Sequence, residues 1–356
     1  MQAKENLLGY SLESLESFFS KINEPKFRAK QLLKWIHQKG VLDFNLMTDL
    51  NKDLRAKLNS IAFIKPPIIH EEHISKEGTI KYLIALESGS MIEMVEIPEK
   101  NRRTLCVSSQ AGCALQCTFC ATGAQGFEKN LTSDEIIGQL WLANFADQNP
   151  INITNVVFMG MGEPLLNFDP VIESAKIMKD QHAYGLSRKR ITISTSGIVP
   201  FIEKLPENID ASLAISLHAP NNELRDEIVP INKKYPIDRL IKSCKDFVAY
   251  YDGKRNITIE YILIDGVNDS KELALQLSKL LSGLSCKINL IPFNPWPNSP
   301  YQCSSKEEIK KFSDIIKNAG YASPVRKTRG QDIMAACGQL KSSSIKIRKS
   351  ELRANG

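Results

Sequence analysis

The chain has 356 residues, 42% of them apolar, and a formal net charge of +6 from 46 basic and 40 acidic side chains. That is enough apolar material for one large domain and a smaller one, which excludes global disorder, and a charge bias that admits an RNA partner without singling one out. Eight unevenly spaced cysteines argue against a secreted disulfide scaffold, and with neither an apolar leader pattern nor a run approaching ~18 apolar residues the chain reads as cytoplasmic, with no membrane association.

Helical periodicity comes first, at roughly 11–22, 25–38 and 46–60, and Pro66-Pro67 ends it. Alternating runs at 79–86 and 90–97 predict two paired strands around Glu87-Ser88-Gly89. Residues 1–98 are therefore expected to form a small, mainly helical accessory domain ending in a hairpin. From about 103 the pattern changes. Strand-like runs at 103–108, 153–159, 190–195, 211–217, 256–263, 286–292 and 322–327 alternate with helix-like stretches at 132–147, 170–180, 199–205, 236–250, 270–282 and 305–319. Thr132-x-x-Glu135 and Ser304-x-x-Glu307 have capping-box spacing, and Gly320 stands where a helix should stop. Six βα units and a final strand predict a parallel sheet with right-handed crossovers. Eight units would close a full barrel. The expected class is therefore α/β, a partial (βα)6 TIM-like barrel over 99–340, with a basic tail at 341–356.

Cys113, Cys117 and Cys120 have the spacing C-x3-C-x2-C, in the loop after the first barrel strand. Thiolates are the usual ligands of iron–sulfur clusters. Three of them hold three irons of a [4Fe–4S] cube and leave the fourth open to chelate S-adenosylmethionine (SAM), whose reductive cleavage gives a 5′-deoxyadenosyl radical. Structural zinc, the rival reading, wants four closed ligands, and no second C-x2-C or histidine pair lies nearby.

Ligands in βα barrels gather at the C-terminal ends of the strands. The sequence places Gly162-Glu163-Pro164, Ser194, Ser216-Leu217-His218 and Asn294 at such ends, and the last strand leads through Arg329-Gly330 to Cys337. Each has a plain structural alternative. Gly162-Glu163-Pro164 fits an ordinary turn, Ser194 and Asn294 fit satisfied loop backbone, and Cys106 and Cys337 fit apolar packing. Glu93 fits the solvent face of a strand. Their shared face is what favours function: the Glu163 carboxylate suits the SAM ammonium, and Ser194, Ser216 and Asn294 suit ribose, carboxylate or adenine edges.

CVSSQAGCALQCTFCATGAQGF (106–127), FMGMGEPLLN (158–167), SLHAP (216–220), LIPFNPWP (290–297) and AACGQL (335–340) resemble the radical-SAM ribosomal RNA (adenine-C2)-methyltransferase family, which also acts on tRNA. The resemblance covers nearly the whole chain. It implies two SAM molecules per cycle: Cys337 takes a methyl group from one, and the radical from the other removes a hydrogen from that S-methyl. The methylene radical then adds to adenine C2, and Cys106 resolves the crosslink through a transient disulfide with Cys337. It implies that Gly162, Glu163, Ser194, Ser216, Leu217, His218 and Asn294 line the SAM site and that Glu93 is the proton acceptor. The implied substrates are adenine 2503 of 23S rRNA, at the peptidyl-transferase centre, and adenine 37 of tRNA. An electron donor such as flavodoxin and a monomeric state are the further expectations.

Lys26, Arg28, Lys30, Lys34 and Lys39, and Lys346, Arg348 and Lys349 in the tail, are candidate phosphate contacts, against the alternative of a solvated helix face. Cys244, Cys286 and Cys303 match no motif and read as structural. Two rivals are an adenine-C8 methyltransferase, disfavoured by Pro164-Leu165-Leu166, and a non-catalytic iron–sulfur or zinc protein that binds RNA, disfavoured by Cys337 and Gly162-Glu163.

Overall fold

Capping side chains set where the N-terminal helices begin. In the computed structural model, which describes residues 4–146 and 152–341, Ser11 accepts from the Ser14 N–H to open α1 (Leu12–Lys21), and Asn51 accepts from the Leu54 N–H to open α3 (Lys52–Ile61). Between them lies α2 (Phe27–His37), which buries Ala29, Leu32, Leu33 and Ile36 at helical spacing and leaves Lys26, Lys30 and Lys34 exposed on the other side. The tail lysines and arginine expected to meet RNA, Lys346, Arg348 and Lys349, lie outside the described residues.

The strands follow. Three antiparallel ones, β1 (Ile68–Ile74), β2 (Ile80–Ala85) and β3 (Met91–Glu99), lead into β4 (Arg102–Cys106). The parallel strands of the barrel are β4, β5 (Asn155–Phe158), β6 (Ile191–Thr195), β7 (Ser212–Ser216), β8 (Ile257–Leu263) and β9 (Cys286–Pro292). The helices between them are α4 (Ser133–Phe145), α5 (Phe168–Lys179), α6 (Val199–Asn208), α7 (Ile237–Tyr250), α8 (Lys271–Leu280) and α9 (Lys306–Asn318). This is the expected partial (βα)6 barrel. Among the described residues no helix is long and apolar enough to cross a membrane.

Four details depart from the expectations. The boundary at 98 is not a break, because β3 pairs antiparallel with β4 and all nine strands form one sheet. The hairpin is an extension of the barrel wall, and the N-terminal helices share one hydrophobic core with the barrel. A third strand, β1, extends that hairpin. The cap of α9 falls one residue late: Ser305, not Ser304, accepts from the Glu308 N–H, at 3.1 Å. Finally, the strand expected at 322–327 contracts to one parallel bridge between Val325 and Leu290, since Pro324 has no N–H to continue the ladder.

The sheet does not close, with β9 on one edge and the hairpin on the other. A strap, residues 329–341, crosses this seam. The Gly330 N–H donates to Glu77 (2.8 Å), Asp332 accepts from the Lys76 N–H (3.1 Å), and the Lys341 N–H donates to Glu93 (2.8 Å).

Candidate active site

The cysteine loop is a closed loop on a small hairpin. Gln110–Gly112 pairs antiparallel with Phe127–Asn130, and the Cys113 N–H donates to Gly126 O at 2.9 Å. Gly112 has φ +71°, and a Cβ there would stand 1.8 Å from Gly126 O, so only glycine lets the two legs meet. The loop is held from outside by backbone rather than by charge. Ala121 N–H donates to Gly338 O (2.8 Å), Trp296 Nε1 to Phe119 O (3.0 Å) and Thr122 Oγ1 to Leu340 O (2.6 Å).

Cys113, Cys117 and Cys120 all line one cavity with about 980 Å³ of empty space, open to solvent. Burial pushes the Cys113 thiol up to about 12 and raises Cys117 and Cys120 as well. Thiolates in such a place need a cation to stabilise them. Among the described residues no three Cys, His, Asp or Glu side chains converge on a single ion. A cubane does not require that, because each thiolate binds its own iron. Three soft donors from one loop, spread along the wall of a roomy cavity, fit a [4Fe–4S] cluster and do not fit a closed zinc site.

The same cavity is lined by Gly162, Glu163, Ser194, Ser216 and His218. Gly162 has φ +95°, and a Cβ would lie 2.5 Å from the Cβ of Gln110. Gln110 accepts from the Glu163 N–H at 2.8 Å. The Glu163 carboxylate accepts from the Leu165 N–H (3.0 Å) and the Ser196 N–H (2.8 Å). Burial lifts its pKa to about 7, and those two donors pull the other way. His218 has φ +62°. Its Nδ1 accepts from the Ile262 N–H (3.1 Å), and its ring meets Phe119 edge-on at 4.7 Å. Burial holds it down to about 3, so it is a neutral imidazole.

Cys337 lines this cavity and a smaller one beside it, where it meets Cys106 and Asn294. Asn294 Nδ2 donates to the Cys337 carbonyl oxygen at 3.2 Å, and Asn294 lines the smaller cavity rather than the main one. Leu217 points into the core and meets the site through its backbone only, its N–H donating to Glu260 O at 3.1 Å. Glu93 is buried and lines neither cavity. It pairs with Lys81 (3.0 Å) behind strap residues, and burial raises its pKa while Lys81 opposes the rise. Cys244, Cys286 and Cys303 line neither cavity.

Sequence reasoning missed Arg225. This fully buried guanidinium, on the short helix Asn222–Ile228, donates to the backbone oxygens of Ser196 (2.6 Å), Ser216 (3.2 Å) and Leu217 (3.0 Å). It ties two strand ends of the SAM-side wall together. It also missed Gln110, Glu260 and Arg326. An arginine among polar residues reads as exposed, and only the tertiary fold shows otherwise.

A three-cysteine loop at the C-terminal mouth of a partial (βα)6 barrel, facing polar strand ends, defines a radical SAM enzyme. The Radical SAM superfamily model matches residues 107–277, and the model for the ribosomal RNA large subunit methyltransferase N-terminal domain matches residues 5–64. The chain belongs to the RlmN family of dual-specificity RNA methyltransferases. It is 54% identical over 342 residues to the dual-specificity RNA methyltransferase RlmN of Pseudomonas putida (strain W619), covering 95% of this chain and 90% of that one. It is 54% identical over 344 residues to that of Marinomonas sp. (strain MWYL1), covering 95% and 93%. A radical SAM methyltransferase from Sphaerobacter thermophilus superposes with a TM-score of 0.87 at 41% identity, covering 95% of this chain and 99% of that one. Its cofactors are a [4Fe–4S] cluster and SAM.

Proposed function

We propose that this enzyme methylates C2 of adenine 2503 in 23S rRNA and of adenine 37 in tRNA, with Cys337 as methyl carrier and Cys106 as resolving thiol. The observation that carries this reading is the position of Cys337. It stands in the wall between the cavity of the three cluster cysteines and the cavity of Cys106. A carrier that takes a methyl group on one side and is released from the other needs that placement.

A cluster held by Cys113, Cys117 and Cys120 supplies, when bound, the electron that turns SAM into a source of hydrogen-abstracting radical. The chain's own residues do the rest. Glu163, Ser194, Ser216 and the neutral His218 offer acceptors and donors to SAM. Adenine C2 is an electron-poor carbon and a poor nucleophile, so the carbon is delivered on sulfur instead. The Cys337 sulfur takes the methyl by displacement, and after that carbon is joined to C2 the Cys106 sulfur attacks the sulfur of Cys337. Glu93 is the proposed proton acceptor. Burial raises its pKa, which favours taking up a proton, and the ion pair with Lys81 opposes that rise. The N-terminal helices are the proposed RNA-contacting unit, through Lys26, Lys30 and Lys34 on the exposed side of α2. The reading places the enzyme in the cytoplasm as a monomer, reduced by a flavodoxin-type donor.

The test is mass mapping of 2-methyladenosine in rRNA and tRNA from cells lacking the gene. Loss from both substrates, restored by the wild-type gene and not by a Cys337→Ala copy, is the expected outcome. Unchanged modification in the deleted strain contradicts the proposal.

A further inference from the structure

Arg326 follows the Val325 bridge at the β9 edge, where its N–H donates to Leu290 O at 2.8 Å. Its side chain lines both the main cavity and the smaller one. The neighbouring arginines each have a carboxylate: Arg102 pairs with Glu99 at 2.8 Å and Arg329 with Glu77 at 3.3 Å. Among the described residues no carboxylate comes within ion-pair distance of Arg326. Its charge is felt instead by Cys337, Glu260, Cys106 and Glu99. These groups, the two carboxylates included, stabilise its charge at longer range than an ion pair, and burial opposes them. Here the groups it faces across the seam include two sulfurs.

Cys106 has the complementary problem. It sits at the end of β4 opposite Val95, and burial pushes its thiol up to about 12, with Cys337 adding to the rise and Arg326 opposing it. Only a thiolate attacks sulfur effectively, so this thiol needs a cation.

We propose that Arg326 is a positioning residue for the resolving thiol, supplying the positive charge against which Cys106 sheds its proton to solvent and attacks the sulfur of Cys337. The S–S bond forms as the bond from the Cys337 sulfur to the RNA-bound carbon breaks. The electron pair leaves with the carbon, which takes a proton from solvent, and a thiol reductant returns the disulfide to two thiols. This rests on the role of Cys106 proposed above. The other charged or titratable groups lining the smaller cavity are Glu99 from β3, Arg102 from β4, and Lys327 and Arg329 beside Arg326, with Glu260 from β8 in the wall of the main one.

The experiment labels full-length, cluster-loaded enzyme, without SAM or RNA, with methyl methanethiosulfonate across a pH series. Labelling of Cys106 is read by peptide mass spectrometry. Arg326→Gln should displace the rate–pH curve upward by about one unit, roughly a tenfold slower reaction at a given pH. Arg326→Lys, which keeps the charge, should recover most of that. Superimposable curves for wild type and Arg326→Gln overturn the proposal. So does equal slowing at every pH in both variants, because that reports access rather than charge. A Cys106→Ala enzyme that turns over freely would remove the resolving role itself and leave this labelling result unchanged, so the two failures are distinguishable.

Discussion

Cys106 and Cys337 are chemically the same residue in different surroundings. Cys106 is buried at a strand end, with its pKa lifted to about 12, while Cys337 is half-buried on a strap at the meeting of two cavities. If Cys106 resolves the crosslink, Cys106→Ala should still join enzyme to RNA and fail to release it. The adduct would appear as a slow-migrating band that ribonuclease collapses, and Cys337→Ala should give none. Normal turnover by Cys106→Ala would make Cys106 a core residue. The motif cysteines were legible in the sequence because their spacing is a chemical statement. Arg225 and Arg326 were not. Nothing in their flanking residues says that one is fully buried against three carbonyl oxygens and that the other shares a cavity wall with Cys106 and Cys337. Glu93 was legible as a candidate, but its burial and its pairing with Lys81 depend on the strap, which is remote in sequence.

At the scale of elements, the turn after β5 shows how tightly the SAM-side wall is built. Gly162 combines φ +95° with a Cβ position 2.5 Å from Gln110 Cβ, whereas Gly185 has φ +61° and open space. Gly185→Ala should therefore cost only the backbone strain, about 1–2 kcal/mol. Gly162→Ala carries the same strain plus the clash and should cost more, about 3 kcal/mol. Denaturant midpoints of the two variants against wild type check this, and equal losses would mean that Gln110 simply moves aside. The barrel strands and helices were readable because parallel strands buried on both faces are continuous apolar runs between amphipathic helices. β1 was missed for the converse reason. Its sequence, IIHEEHI, is largely exposed and lacks the alternation that marks a half-buried strand.

At the scale of the whole molecule, the accessory helices present Lys26, Lys30 and Lys34 at four-residue spacing on one exposed side of α2. Replacing Lys30 and Lys34 together with Gln should weaken RNA binding. The slope of log affinity against log salt should fall by roughly one for each phosphate that is no longer neutralised. SAM cleavage without RNA should be little changed. An unaltered salt slope in filter binding would reduce these lysines to a solvated face. The pairing of β3 with β4, which joins the hairpin to the barrel sheet, leaves no mark in either strand alone.

The strap that crosses the seam has a consequence for the site. Two of its residues hold the cysteine loop directly, Gly338 O accepting from the Ala121 N–H and Leu340 O from Thr122, and beside them Cys337 O accepts from Asn294. Hydrogen bonds to backbone oxygens thereby tie the strap that carries Cys337 to the three-cysteine loop. A substitution that loosens the cysteine loop is therefore expected to shift Cys337 with it.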